Sequence, residues 1–164
     1  MDADELKAKI EDDIGDMIAE TRRGRPRRIE VVLEDPDRIV DVMEYLTGEG
    51  IKHLSTITGR DDGTDVELLY HMLQYGEEKG DGDLGDANMI TVRTFVPKGT
   101  PRIDSITDVV PGAALYEREV IDILGVEFEG HPNPDKLLLP DDWEEDEAPP
   151  LLKDEEPEEA EVDD

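Results

Sequence analysis

Three histidines and one dense group of charged side chains are the places where this 164-residue chain could hold a metal or move a proton. His53, His71 and His131 are eighteen and sixty residues apart. A metal site on one element needs closer ligands, such as two histidines four apart on a helix, so these read as scattered structural histidines. The dense group is Glu117, Arg118, Glu119 and Asp122, within ALYEREVIDILG. Two carboxylates beside an arginine suit acid–base catalysis, and Glu117, Glu119 and His131 would together make a metal-dependent hydrolase. No nucleophile, further metal ligand or pocket residue accompanies them, so a charged helix face is the better reading. Arg118 and Asp122 are four apart and would pair along the helix, for about 0.2–0.5 kcal/mol when exposed. No GxGxxG or GxxxxGK occurs, so no phosphate cradle is visible. GEEKGDGDLGD, residues 76–86, carries acids that would repel a phosphate. It also lacks the alternating ligands and terminal glutamate of a calcium loop, and reads as a solvated hairpin tip. The chain has no cysteine, which excludes disulfides and a cysteine-ligated iron–sulfur cluster on it.

The elements that must position these residues are legible in the apolar spacing. Leu6, Ile10, Ile14 and Ile18 are four apart and predict a helix over 4–21 capped by Asp4. TRRGRPRR, residues 21–28, holds five arginines around Gly24 and Pro26 and reads as a flexible break, a linker or a charged contact. A strand over 29–33 is followed by a helix that starts at Asp35-Pro36 and stops at Gly48 or Gly50. Strands are predicted over 51–58, 66–75 and 89–96. The last three strands are joined by turns, not helices. That order implies an α+β two-layer sandwich, with a mostly antiparallel four-stranded sheet and helices on one face. The domain organisation read from this is an N-terminal helix and basic linker (1–28), an α+β domain (29–125), an extended arm (126–154) and a disordered acidic tail (155–164).

Composition narrows the partners. The formal charge is −29, and residues 141–164 alone hold fourteen acids and one lysine. Even the remaining body is acidic, which argues against nucleic acid and against direct docking on anionic lipid. A surface this charged also keeps a protein soluble in a salty cytoplasm. No apolar run approaches the ~20 residues needed to span a bilayer, and MDADELKAK lacks the order of a signal peptide. The sequence therefore predicts a soluble intracellular chain unless a partner carries it elsewhere.

After Gly125 the character changes. VEFEGHPNPDKLLLPDDW has prolines at 132, 134 and 140, which forbid helix and disfavour strand pairing. Yet it holds Val126, Phe128, three consecutive leucines and Trp143, the only tryptophan. Such residues should be buried, either against the chain's own sheet or against a partner.

In this stretch YERE is 116–119, DILG is 122–125, and Phe128 precedes EGHP at 129–132; LLLPDDW is 137–143 and PLLKD is 150–154. The series resembles the thirty-kilodalton subunit family of respiratory complex I, the NADH-quinone oxidoreductase. It departs from the family at Leu115, where a tryptophan is usual, at Asp135-Lys136, where an arginine pair is usual, and at Leu152, which stands for an arginine. LLLPDDW is similar to relatives in archaeal complexes and in energy-converting membrane-bound nickel–iron hydrogenases. The resemblance implies a non-catalytic subunit without a cofactor of its own, in the peripheral arm of an ion-translocating complex. It implies a place at the cytoplasmic face of the membrane, against a hydrogenase-like large subunit and beside iron–sulfur subunits. It also implies that Tyr116, Glu117, Arg118, Glu119 and Asp122 on the helix, with Phe128, His131, Pro132, Leu138, Trp143 and Lys153 on the arm, meet that partner. The other readings are the same role in a membrane-bound hydrogenase, and a free acidic adaptor or chaperone.

Overall fold

A computed structural model describes residues 1–75, 87–143 and 148–152. Helix α1 spans Ala3–Ile14 and buries Leu6, Ile10 and Ile14, the stripe predicted from their spacing. Its cap is Asp2, not Asp4. The Asp2 carboxylate accepts from the N–H groups of Asp4 and Glu5, and Glu5 reaches back to the Asp2 N–H, which satisfies the donors that a helix start leaves open. The helix also ends earlier than predicted, because the Ala19 N–H donates to the Val32 carbonyl and commits the following residues to a sheet ladder.

That ladder corrects the strand count from four to five. Residues read as the end of a helix and a flexible break form β1 (Glu20–Arg23), antiparallel to β2 (Arg28–Val32). The arginines are tolerated in a strand because acids meet them on both faces. Arg23 pairs with Asp4 on one side, and Arg22 with Glu20 and Glu30 on the other.

Pro36–Arg38 makes a short 3-10 turn into α2 (Ile39–Gly48), with Asp35 accepting from the Asp37 N–H. Three long strands follow: β3 (His53–Asp61), β4 (Asp65–Gln74) and β5 (Asn88–Pro97). The sheet order is β1-β2-β5-β4-β3, antiparallel except for the parallel pair β2–β5. The α+β class stands. Ile29, Val31, Ile90, Val92, Leu68, Tyr70 and Met72 point to one face and, with α1, α2 and α3, form a single core. The opposite face carries Glu30, Arg93, Leu69, His71 and Thr91, half-buried, and no described helix covers it.

A second, small sheet positions the arm. β6 (Arg102–Asp104) pairs in parallel with β7 (Glu127–Glu129), and helix α3 (Ala113–Leu124) crosses between them. The sequence suggested no partner for 127–129; the pairing is made by three residues that precede the prolines. Lys153, the tip at 76–86 and the acidic tail lie outside the described residues.

Candidate partner interface

Helix α3 is the platform of the site, and three of its four charged residues, Glu117, Arg118 and Asp122, serve its own chain. Glu117 is turned inward, wholly buried. Its carboxylate accepts from the Ile106 N–H at 2.8 Å and the Ser105 hydroxyl at 2.7 Å, tying the segment before α3 to the helix. Burial pushes the Glu117 carboxyl above its ordinary value, and the hydrogen bonds from the Ser105 hydroxyl and the Ile106 N–H only partly offset that. Burial, with a smaller contribution from the charge of Glu117, raises Tyr70 likewise.

The arm is held by main-chain contacts. Arg118 and Asp122 do not pair along the helix as their spacing suggested. Arg118 donates to the carbonyls of Asp135 and Lys136 at 2.9 and 3.0 Å. Asp122, 3% exposed, accepts from three successive backbone N–H groups, those of Leu137, Leu138 and Leu139, at 2.8, 2.5 and 3.1 Å. Burial alone would raise the Asp122 carboxyl, but the three N–H donors and Arg118 outweigh it and hold it below the ordinary value. His131 fixes the start of the arm. Its Nδ1 accepts from the Asn133 N–H at 3.0 Å, so Nε2 carries the proton and donates to the Ala114 carbonyl at 2.9 Å. Lys136 donates to the Trp143 carbonyl, closing the leucine turn.

The chain then returns to α3. The Leu151 N–H donates to the Ile123 carbonyl at 2.9 Å. Gly125 makes this return possible: it ends α3 with φ +67°, and a Cβ there would lie 2.8 Å from Pro149 Cγ.

Because the arm is bound through its backbone, its apolar side chains remain outside. Leu138 is 58% exposed, Leu151 53% and Leu115 58%, with Leu137 also exposed. Trp143, Tyr116 and Glu119 are half-buried and Pro132 is exposed, whereas Phe128 packs into this chain's own core through β7. Tyr116 also lines a cavity of about 760 Å³ with Leu54, Val109 and Pro111. Of the residues predicted for the site, the structure thus places Tyr116, Arg118, Glu119, Leu138 and Trp143 along the α3–arm surface, and Glu117, Asp122, Phe128 and the His131 side chain, which is 1% exposed, beneath it. Sequence reasoning missed Leu115 as an outward residue and Ser105 and Ile106 as partners of Glu117. An apolar residue in place of the usual tryptophan was the available signal for Leu115; none existed for the contacts to Glu117.

No helix among the described residues is long and apolar enough to cross a membrane, and no described group of three His, Cys, Asp or Glu could hold a metal. Comparison with known proteins agrees with the motif series. The profile of the family described as "Respiratory-chain NADH dehydrogenase, 30 Kd subunit" matches residues 32–161. The J subunit of NAD(P)H-quinone oxidoreductase from Prochlorococcus marinus (strain NATL1A) is 31% identical over 129 residues, 77% of this chain and 71% of that protein. An NADH-quinone oxidoreductase subunit from Roseiflexus castenholzii is 31% identical over 125 residues, 73% of this chain and 65% of that protein. Among solved structures, a trypsin-resistant fragment of Nqo5 superposes with a TM-score of 0.62 at 27% identity, covering 78% of this chain and 98% of the fragment. A chain of the membrane-bound sulfane sulfur reductase, an archaeal respiratory membrane complex, superposes with a TM-score of 0.67 at 25% identity, covering 91% of this chain and 80% of its own. The matched profile spans well over half of the chain, which therefore belongs to the 30 kDa subunit family of the respiratory-chain NADH dehydrogenase.

Proposed function

We propose that this chain is a non-catalytic peripheral subunit of a membrane-bound, ion-translocating complex-I-like oxidoreductase, and that the α3–arm surface docks it on a hydrogenase-like large subunit beside iron–sulfur subunits at the cytoplasmic face. The observation that carries the reading is the outward display of Leu115, Leu138 and Leu151 over a seam whose polar groups bond within the chain. Large apolar side chains left exposed on a charged surface suit an interaction site, and the half-buried Trp143 of the same arm is of a type enriched at interface hot spots. Electron transfer belongs to neighbouring subunits, a reading supported by the absence of cysteine from the sequence. Arg118, Asp122 and His131 are positioning residues that present the arm, while Leu115, Glu119, Leu138 and Trp143 make the contact.

The same role in an archaeal-type membrane complex, such as an energy-converting hydrogenase, is a second reading. It is favoured by the likeness to a chain of the membrane-bound sulfane sulfur reductase, an archaeal respiratory membrane complex, at a TM-score of 0.67.

The test is recovery of the tagged chain from gently solubilised native membranes, as wild type and as L115D/L138D. The wild type should bring down a large subunit, iron–sulfur subunits and membrane subunits, whose identities decide between the two readings. The double variant, with unchanged thermal stability, should bring down at least tenfold less. A wild-type chain recovered alone would replace this reading with the free adaptor.

A further inference from the structure

The sheet face opposite the helices gathers basic side chains in an otherwise acidic molecule. Five side chains, one from each strand, run diagonally across it with alternating charge: Arg22, Glu30, Arg93, Glu67 and Arg60. Their pairs close at 3.6 Å (Arg22–Glu30), 3.2 Å (Glu30–Arg93), 3.1 Å (Arg93–Glu67) and 2.6 Å (Glu67–Arg60). Glu67 is 2% exposed and lies between two guanidiniums. Arg22 also pairs with Glu20, so three arginines meet three glutamates and the row is neutral; the uncompensated positive charge lies beside it.

Beside this row is a groove of about 430 Å³ lined by Arg25, Arg28, Leu69, His71, Thr91 and the Glu30–Arg93 pair. Arg25 and Arg28 are exposed and sit on one tight turn, closed by the Arg28 N–H donating to the Arg25 carbonyl at 3.0 Å. Neither guanidinium has an ion pair or side-chain hydrogen bond among the described residues. Two such arginines on one turn are unusual where acids outnumber bases 46 to 17. The floor is neutral. His71 stands between the Thr58 and Thr91 hydroxyls at 3.1 and 3.2 Å, and Leu69 is half-buried.

We propose that this groove binds a short acidic segment of another polypeptide, whose carboxylates pair with Arg25 and Arg28 while its backbone lies over Leu69 and Thr91. Guanidiniums bind carboxylates in a fork geometry. The extent of the cationic region selects the ligand class. A nucleic acid or a bilayer would overrun the groove and meet the surrounding acids, whereas a peptide segment fits within it. At physiological ionic strength screening over ~8 Å confines the repulsion from the rest of the surface. The site is separate from the α3–arm surface, which lies across the sheet from it.

The test uses the full chain at about 0.15 M salt and fluorescence anisotropy of a labelled eight-residue peptide of alternating glutamate and leucine. Saturable binding is expected, with at least tenfold weaker affinity in R25Q/R28Q, recovery in R25K/R28K, and no change in R38Q, whose arginine pairs with Asp41 elsewhere. Thermal unfolding of all variants should coincide. Three results would overturn the proposal: no saturable binding, as would follow if the chain's own acids filled the groove; equal affinity in R25Q/R28Q; or displacement of the peptide by inorganic phosphate at equal charge concentration, which would make the groove a small-anion site.

Discussion

On helix α3, Glu117, Arg118 and Asp122 lie within six residues of one another and all three bond to their own chain: Glu117 to Ser105 and Ile106, Arg118 to two carbonyls, Asp122 to three N–H groups. Across the sheet, the guanidiniums of Arg25 and Arg28 bond to nothing among the described residues, and Arg22, Arg60 and Arg93 share Glu20, Glu30 and Glu67. The two regions have similar residue types and opposite designs. On α3 Glu117, Arg118 and Asp122 are consumed within the chain, so what faces outward is apolar except for Glu119. On the sheet face the apolar residues are half-buried and what faces outward is charge. A subunit built this way has one surface suited to a desolvated contact and one suited to a charged contact.

The contrast predicts where substitutions hurt. The largest effect is expected at Glu117. Its replacement by alanine leaves the Ile106 N–H without an acceptor in the core and should cost about 2–3 kcal/mol, read as a lowered midpoint in denaturant. Glu117→Gln keeps the acceptor and removes a buried charge, and should cost under ~1 kcal/mol. Equal losses in the two variants would mean that the charge of Glu117, not its hydrogen bonds, holds the segment.

Gly125→Ala comes next. Strain at φ +67° and the approach to Pro149 should together cost ~1–2 kcal/mol and free 148–152 from α3. Proteolysis near Leu151 should accelerate before global stability falls.

The two carboxylates of α3 should show opposite pH dependence. Asp122 titrates below its ordinary 3.8 when folded, so its contribution is present above that value and is lost as pH falls through the lower folded one. Glu117 titrates above its ordinary 4.5, so it favours folding most below that value and the benefit disappears as pH rises through the higher folded one. Denaturation curves from pH 3 to 7, in steps of about half a unit, should therefore show Asp122→Asn flattening the acid limb and Glu117→Gln flattening the decline above 4.5. At the small end, R25Q/R28Q should change stability by less than ~0.5 kcal/mol, because exposed arginines with no ion pair among the described residues contribute little.

How much of this was legible beforehand differs between the same regions. The stripe of α1, three of the long strands and α3 followed from apolar spacing, because burial imposes a period on sequence. The family followed from the series YERE, DILG, EGHP, LLLPDD and PLLKD. β1 was missed because its pairing is with backbone and its arginines resemble a linker. The arm's attachment was missed for a related reason. Asp122 and Arg118 recognise main chain, and main-chain groups leave no trace in side-chain type. The spacing of Arg118 and Asp122 even suggested a pair that is not formed, since three N–H donors occupy the carboxylate and two carbonyls occupy the guanidinium. The groove at Arg25 and Arg28 required the sheet order, which brings β2 beside β5 across a long stretch of sequence.

The arm is predicted to be held on α3 before any partner arrives, and hydrogen exchange of the free full-length chain measures this directly. The amides of Leu137, Leu138 and Leu139 should exchange slowly in the wild type. In Asp122→Ala they should exchange at unprotected rates, while amides of β4 and β5 keep their protection. Equally fast exchange of the three amides in both proteins would contradict a preformed arm and leave the order of that segment to the partner alone.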